Sequence, residues 1–246
     1  MHFETHESIP SKDGFDISYI LNTSENTSDS LVILLHGLTG HPKEHLHSEA
    51  KNIFTKNGYD CLRLWFYGDE ESNRKLLTNT LQQNADDMNA IVSHFKNRYK
   101  KIYIAGHSYA GMAMVLANPD VNAMTFWDCT FDAYNQFWER SITPVAELDA
   151  YYIKSWHVQF LIGKAMIEEA KNISKEDILV RMKKLKASPQ FIAAGDSIWG
   201  GQMYELYDQL DLQKDFITID KADHCFNYGS TTSLVIEKTM EWFEKF

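Results

Sequence analysis

Ser108 stands in Gly106-His107-Ser108-Tyr109-Ala110-Gly111. The apolar, β-prone run Ile102-Tyr103-Ile104-Ala105 comes before it, and Met112-Ala113-Met114-Val115-Leu116-Ala117 follows and reads as a helix. A strand, a sharp turn carrying a serine and a helix together present a hydroxyl as a nucleophile. Such a turn strains the backbone of its central residue, and the strand and helix nearly touch beside it. The residues two before and two after must therefore be small. Gly106 and Ala110 meet that need, although glycine at both places is the usual form. A free serine hydroxyl attacks poorly. It needs a general base, a group to orient that base, and donors for the oxyanion that forms.

The base that the order of elements selects from ten histidines is His224. It lies in Asp223-His224-Cys225, after the last predicted strand and before the last helix; the alternative is an ordinary surface-loop histidine. Asp196, in Gly195-Asp196-Ser197 after the strand over 190–194, is the preferred orienting acid. Asp128, at the end of the strand over 121–127, is its rival, and Asp223 is discounted because it neighbours His224 in sequence and points elsewhere. Backbone N–H groups of Tyr109 and of Leu38, in His36-Gly37-Leu38-Thr39-Gly40, are the expected oxyanion donors. Tyr134, Trp138, Trp156 and Trp199 are candidates for the substrate pocket, or simply hold their segments together. His107 is expected to pack against or tune the elbow. His36, His41, His45 and His47 cluster, and His41 and His45 are four apart, but Pro42 sets the helix start and no further ligand completes a set. No metal and no cofactor is expected.

These residues need a scaffold, and the hydropathy pattern supplies one. Residues 14–21 alternate as a strand, with 3–8 as a possible partner. Residues 31–35 are continuously apolar, as in a strand buried on both faces. Helix over 43–57, strand over 59–64, loop over 67–80 and helix over 81–97 follow, the last with Leu81, Ala85, Met88, Ile91, Val92 and Phe95 on one face. After the elbow comes the strand over 121–127. This alternation predicts an α/β fold, a mostly parallel central sheet flanked by helices. From 129 to 187 no strand is predicted. Aromatic-rich stretches lead to helices over 158–171 and 174–186, the second capped by Ser174 with Asp177 three residues on. The α/β pattern resumes with strands over 190–194 and 216–219 and helices over 202–211 and 231–245. The expected division is a core of residues 1–128 and 188–246 with a helical cap insertion over 129–187.

Composition bounds the class. The chain of 246 residues is 44% hydrophobic and 24% charged, ordinary for a soluble globular protein. A formal net charge of −10 speaks against a nucleic-acid-binding surface. There is no run of about 18 apolar residues, hence no expected membrane span. The N-terminal residues lack a signal-peptide pattern, and three scattered cysteines fit a reducing compartment, so a cytoplasmic location is expected.

Ser108, Asp196 and His224 occur in nucleophile–acid–base order, each just past its own predicted strand. With His36-Gly37-Leu38, Gly106-His107-Ser108-Tyr109-Ala110-Gly111, Gly195-Asp196 and Asp223-His224, the chain from about residue 14 onward resembles the α/β-hydrolase-fold serine hydrolases, of the esterase and lipase kind with a helical cap. The resemblance implies a Ser–Asp–His triad and hydrolysis of a small-molecule ester. The aromatic cap favours an apolar acyl or aryl group. A thioesterase, acyltransferase or carbon–carbon hydrolase would share the triad, and a non-catalytic binding protein would share the scaffold. Activity on p-nitrophenyl esters beside acyl-CoA separates the first group, and fluorophosphonate labelling the second. Oligomeric state is not legible.

Overall fold

The computed structural model describes residues 3–68, 73–132, 134, 138–154 and 159–246. In chain order its strands are β1 (Glu4–Pro10), β2 (Asp16–Asn22), β3 (Ser30–Leu35), β4 (Asp60–Leu64), β5 (Lys101–His107), β6 (Ala123–Trp127), β7 (Ile142–Val145), β8 (Ala150–Lys154), β9 (Gln159–Gly163), β10 (Ser188–Ala194) and β11 (Asp215–Ile219). Eight of them form one sheet in the order β1-β2-β4-β3-β5-β6-β10-β11. The β1–β2 hairpin and the β2–β4 pair are antiparallel, and every other pair in this sheet is parallel. β5, which leads into Ser108, sits between β3 and β6 near the middle. The loops after β3, β5, β6, β10 and β11 therefore emerge at one edge, where open α/β sheets place ligands.

The continuous apolar runs are explained by burial on both faces. Leu31, Ile33 and Leu35 of β3 and Ile102 and Ile104 of β5 share a core with residues of helices α2 (Leu81–Phe95), α3 (Ala110–Ala117), α5 (Lys175–Met182) and α6 (Gly200–Asp208). The alternate residues Val32, Leu34, Tyr103 and Ala105 face α1 (His45–Lys56) and α7 (Thr231–Phe243). There Tyr103 stacks on Phe243 at 4.5 Å between ring centroids. Among the described residues no helix is long and apolar enough to cross a membrane.

The segment over 129–187 corrects one expectation. It is not purely helical: β7, β8 and β9 form a separate three-stranded antiparallel sheet. Each strand has only four or five residues, and Pro144 lies in the edge strand β7, where its missing N–H costs no ladder bond. Runs this short give too few residues to separate a period of two from a helical one. The helix predicted from residue 158 starts instead at α4 (Lys164–Lys171), because Gly163 is extended. Ile162 before that break and Met166 and Ile167 after it bury into the same interior, which imitates a helical face. The predicted cap of α5 is present, with Ser174 and Asp177 forming a capping box.

Tyr151, Ile153 and Ile162 of the small sheet pack with α4 against Leu81, Tyr109, Met112 and Trp138, beside the elbow. Two further contacts fasten this insertion. Glu169 on α4 accepts the Leu81 N–H at the start of α2, at 2.6 Å, a placement the positive helix terminus favours. Gly163 lies directly against the Leu77 carbonyl, and a Cβ there would collide with that backbone. Gly163→Ala is therefore expected to lower the stability to urea by about 1–3 kcal/mol. Gly201→Ala, a helical glycine with nothing within 4 Å of its added Cβ, should be neutral or stabilising. Equal stability of the two variants would contradict the close docking.

Candidate active site

Ser108 has φ 57°, in the left-handed region that costs a residue with a side chain about 1–3 kcal/mol. Its own peptide groups hold it there. Its N–H donates to Trp127 O at 3.0 Å, and its carbonyl accepts from Gly111 N at 3.1 Å and Thr130 N at 3.3 Å. The glycines around it are dictated by space. A Cβ on Gly106 would run into the Met114 sulfur and come within 3.2 Å of Ala110 Cβ. The gap between β5 and α3 thus holds one methyl group, which Ala110 supplies, and not two. A Cβ on Gly111 would meet Cys129 Cβ at 2.6 Å.

His224 extends from the loop after β11 with its Nε2 2.9 Å from Ser108 Oγ. Its Nδ1 is 2.6 Å from Asp128 Oδ2. A carboxylate accepts, so Nδ1 carries the proton and Nε2 is free to accept from the hydroxyl. Asp128 follows β6 directly, is fully buried, and has φ 42°. Its N–H donates to Ile192 O at 2.7 Å and its Oδ1 accepts from Ala194 N at 3.0 Å. These two bonds to β10 leave Oδ2 aimed at the imidazole.

On the other side of Ser108, a Cβ on Gly37 would lie 2.9 Å from Ser108 Cβ and 3.4 Å from its Oγ. Gly37 therefore lies close against Ser108, with no room for a side chain between them. Leu38 follows it in the loop after β3, and Tyr109 begins the turn into α3; neither N–H has a backbone acceptor among the described residues.

No protein-family model matches the sequence, and no curated protein does. Solved structures do. The esterase domain of a Rhodothermus marinus protein is 18% identical, with a TM-score of 0.76 over 98% of this chain and 97% of that one. Est1E from Butyrivibrio proteoclasticus, with ferulic acid bound, is 20% identical, with a TM-score of 0.79 over 97% and 98%. A dienelactone hydrolase from Anabaena variabilis is 14% identical, with a TM-score of 0.70 over 100% and 98%. This chain has the α/β-hydrolase fold.

Within this α/β-hydrolase chain, the carboxylate that reaches the imidazole differs from the one preferred in the sequence. It is Asp128, the rival. Asp196 is exposed, and its N–H is used by Ala222 O at 2.9 Å. Gly195 presses against the backbone at Ile219–Lys221, so the chain leaving β10 is tied to the end of β11 and turns outward. The composition carried that signal: Asp196 sits among turn residues, whereas Asp128 follows five buried strand residues without a break. Asp223 accepts from Asn227 N at 2.6 Å and stabilises its own turn.

Among the pocket candidates, Trp138 is buried with its ring 5.1 Å from Tyr109. Tyr134 borders the same cluster, and Trp199 lies 6.4 Å from the His224 ring. Trp156 is outside the described residues. The clustered histidines diverge. His41 packs on Trp65, His45 reaches Thr232, and His47 meets Glu44 at 2.8 Å. Among the described residues no group of three or more possible ligands could hold a metal ion.

Two buried imidazoles support the site. His107 places Nε2 2.8 Å from the His224 carbonyl, so that nitrogen donates and fixes the loop carrying His224. Burial, reinforced by nearby His224, lowers its pKa to about 4. Burial likewise lowers that of His36 to about 4, opposed by its bond to Gly37. Both are neutral in the folded protein. Between pH 6.5 and 4 the unfolded chain binds these two protons and the folded one does not, so stability must fall on acidification through that window. The expected loss is about 3 kcal/mol per imidazole. Urea midpoints measured across that range should decline, and His107→Gln should lessen the slope by one proton. A flat profile would contradict burial of neutral imidazoles.

Proposed function

We propose that this protein is a serine hydrolase that cleaves carboxylic esters through an acyl-enzyme. The observation that carries the proposal is the unbroken relay from Asp128 through His224 to Ser108, at 2.6 and 2.9 Å, near two N–H groups, of Leu38 and Tyr109, that have no backbone acceptor among the described residues. Ser108 Oγ attacks the ester carbonyl as His224 Nε2 takes its proton. Asp128 holds the imidazole in the required tautomer and stabilises the imidazolium that forms. The N–H groups of Leu38 and Tyr109 bond the developing oxyanion. His224 then protonates the departing alkoxide and next activates the water that releases the acid. Each step uses groups of this chain, and no cofactor is invoked.

The names of the similar structures, one an esterase domain, one Est1E with ferulic acid bound and one a dienelactone hydrolase, support ester chemistry. The insertion over 129–187 is assigned as a cap. Its Trp138 and Tyr134, with Leu38 and Tyr109, favour an apolar acyl or aryl group on that side. Trp199, near His224, is assigned to the alcohol side. The cysteines are all free thiols, which supports a reducing, cytoplasmic location.

Kinetics on p-nitrophenyl esters test the relay. Asp128→Asn is expected to lower kcat about 10³- to 10⁴-fold, and Asp196→Asn to stay within roughly twofold of the wild type, as for an exposed residue. The reverse pattern would restore Asp196 as the acid. Turnover of acyl-CoA with none of any p-nitrophenyl ester would overturn the ester assignment.

A further inference from the structure

The Gly37 carbonyl carries an unusual load. It accepts from Gly40 N at 3.0 Å, from the Tyr67 hydroxyl at 3.0 Å, and from His36 Nδ1 at 2.9 Å. The last assignment is fixed from behind: His36 Nε2 accepts the Phe66 N–H at 3.2 Å, so the proton is on Nδ1. His36 and Tyr67 also brace each other, their rings meeting edge to face at 5.1 Å. In a planar trans peptide the C=O and the following N–H point in opposite directions. Three donors that hold the Gly37 carbonyl on one side therefore hold the Leu38 N–H on the other. Donation to a carbonyl also polarises its amide and strengthens the N–H as a donor, by about 10–30% per bond.

We propose that Tyr67 is a positioning residue: with His36 it loads the Gly37 carbonyl, and so both aims and strengthens the Leu38 N–H for the oxyanion. The inference rests on the serine-hydrolase reading above. It also gives Phe66 and Tyr67, in the loop after β4, a part in chemistry that takes place at β5. Tyr67 touches no reacting atom. Burial keeps its phenol protonated, so it remains a donor throughout the working pH range.

The sequence contains a single Gly-Leu dipeptide, Gly37-Leu38. Labelling glycine with ¹³C at the carbonyl and leucine with ¹⁵N therefore gives one amide correlation, which reports this peptide alone and needs no turnover. Tyr67→Phe is expected to move that resonance upfield in both dimensions. It should lower kcat about 5- to 30-fold with KM unchanged, less than the roughly 10²- to 10³-fold cost of deleting an oxyanion donor. Affinity for a trifluoromethyl ketone, which forms a tetrahedral adduct on Ser108, should fall by the same factor. Tyr67→p-aminophenylalanine, which keeps an N–H donor on the ring, should recover most of both. A resonance that stays in place, or one that moves while kcat and ketone affinity do not, would overturn the inference and leave the triad intact. Failure of the serine-hydrolase reading is distinct: the wild type itself would turn over no ester and bind no ketone.

Discussion

At Ser108 the backbone adopts a conformation that disfavours any residue with a side chain, and the rest of the site is arranged around keeping it there. The serine N–H is bonded to the end of β6, and its carbonyl to Gly111 and Thr130. Those contacts require β5, β6 and the start of α3 to approach closely. The approach in turn requires Gly106 and Gly111 and tolerates only the single methyl of Ala110. With this positive φ the hydroxyl lies within hydrogen-bond reach of His224 Nε2 and close to Gly37. A relaxed turn would leave the same residue types in the chain without bringing them together.

The parallel sheet does the remaining positioning. Asp128, Ser108 and the Gly37 loop end three adjacent strands, β6, β5 and β3, so their spacing is set by backbone pairing and not by flexible loops. Only His224 comes from a longer excursion, and it is held at several points. His107 donates to its carbonyl, buried Phe226 anchors the loop just beyond it, and Asp223 closes the turn through Asn227. Protein interior thus surrounds the relay on its inner side, where two imidazoles stay neutral. His224 itself, with 35% of its side chain exposed, meets solvent.

Much of this was legible in the sequence because it depends on local signals. Continuous apolar runs marked the parallel strands, and the small residues about Ser108 marked the elbow. The position of His224 after the last strand marked the imidazole that meets Ser108. The carboxylate that meets this imidazole is harder to read, since two aspartates each follow a strand. What separates them is whether the chain stays inside after the strand or turns out through a glycine, and that favours Asp128 only when Gly195-Asp196-Ser197 is read as turn chemistry. The strands over 142–163 are not legible because runs of four or five residues, one of them holding Pro144, carry too little periodicity. The bond from Tyr67 to the Gly37 carbonyl spans thirty residues and left no mark in the sequence pattern.

The central claim is that Ser108 is an activated nucleophile, and covalent labelling reads it most directly. Treatment with a fluorophosphonate, followed by intact-mass and peptide analysis, should give one adduct per chain, on Ser108, formed far more slowly in His224→Ala. No adduct on folded wild-type protein, or an adduct on a different residue, would contradict the account.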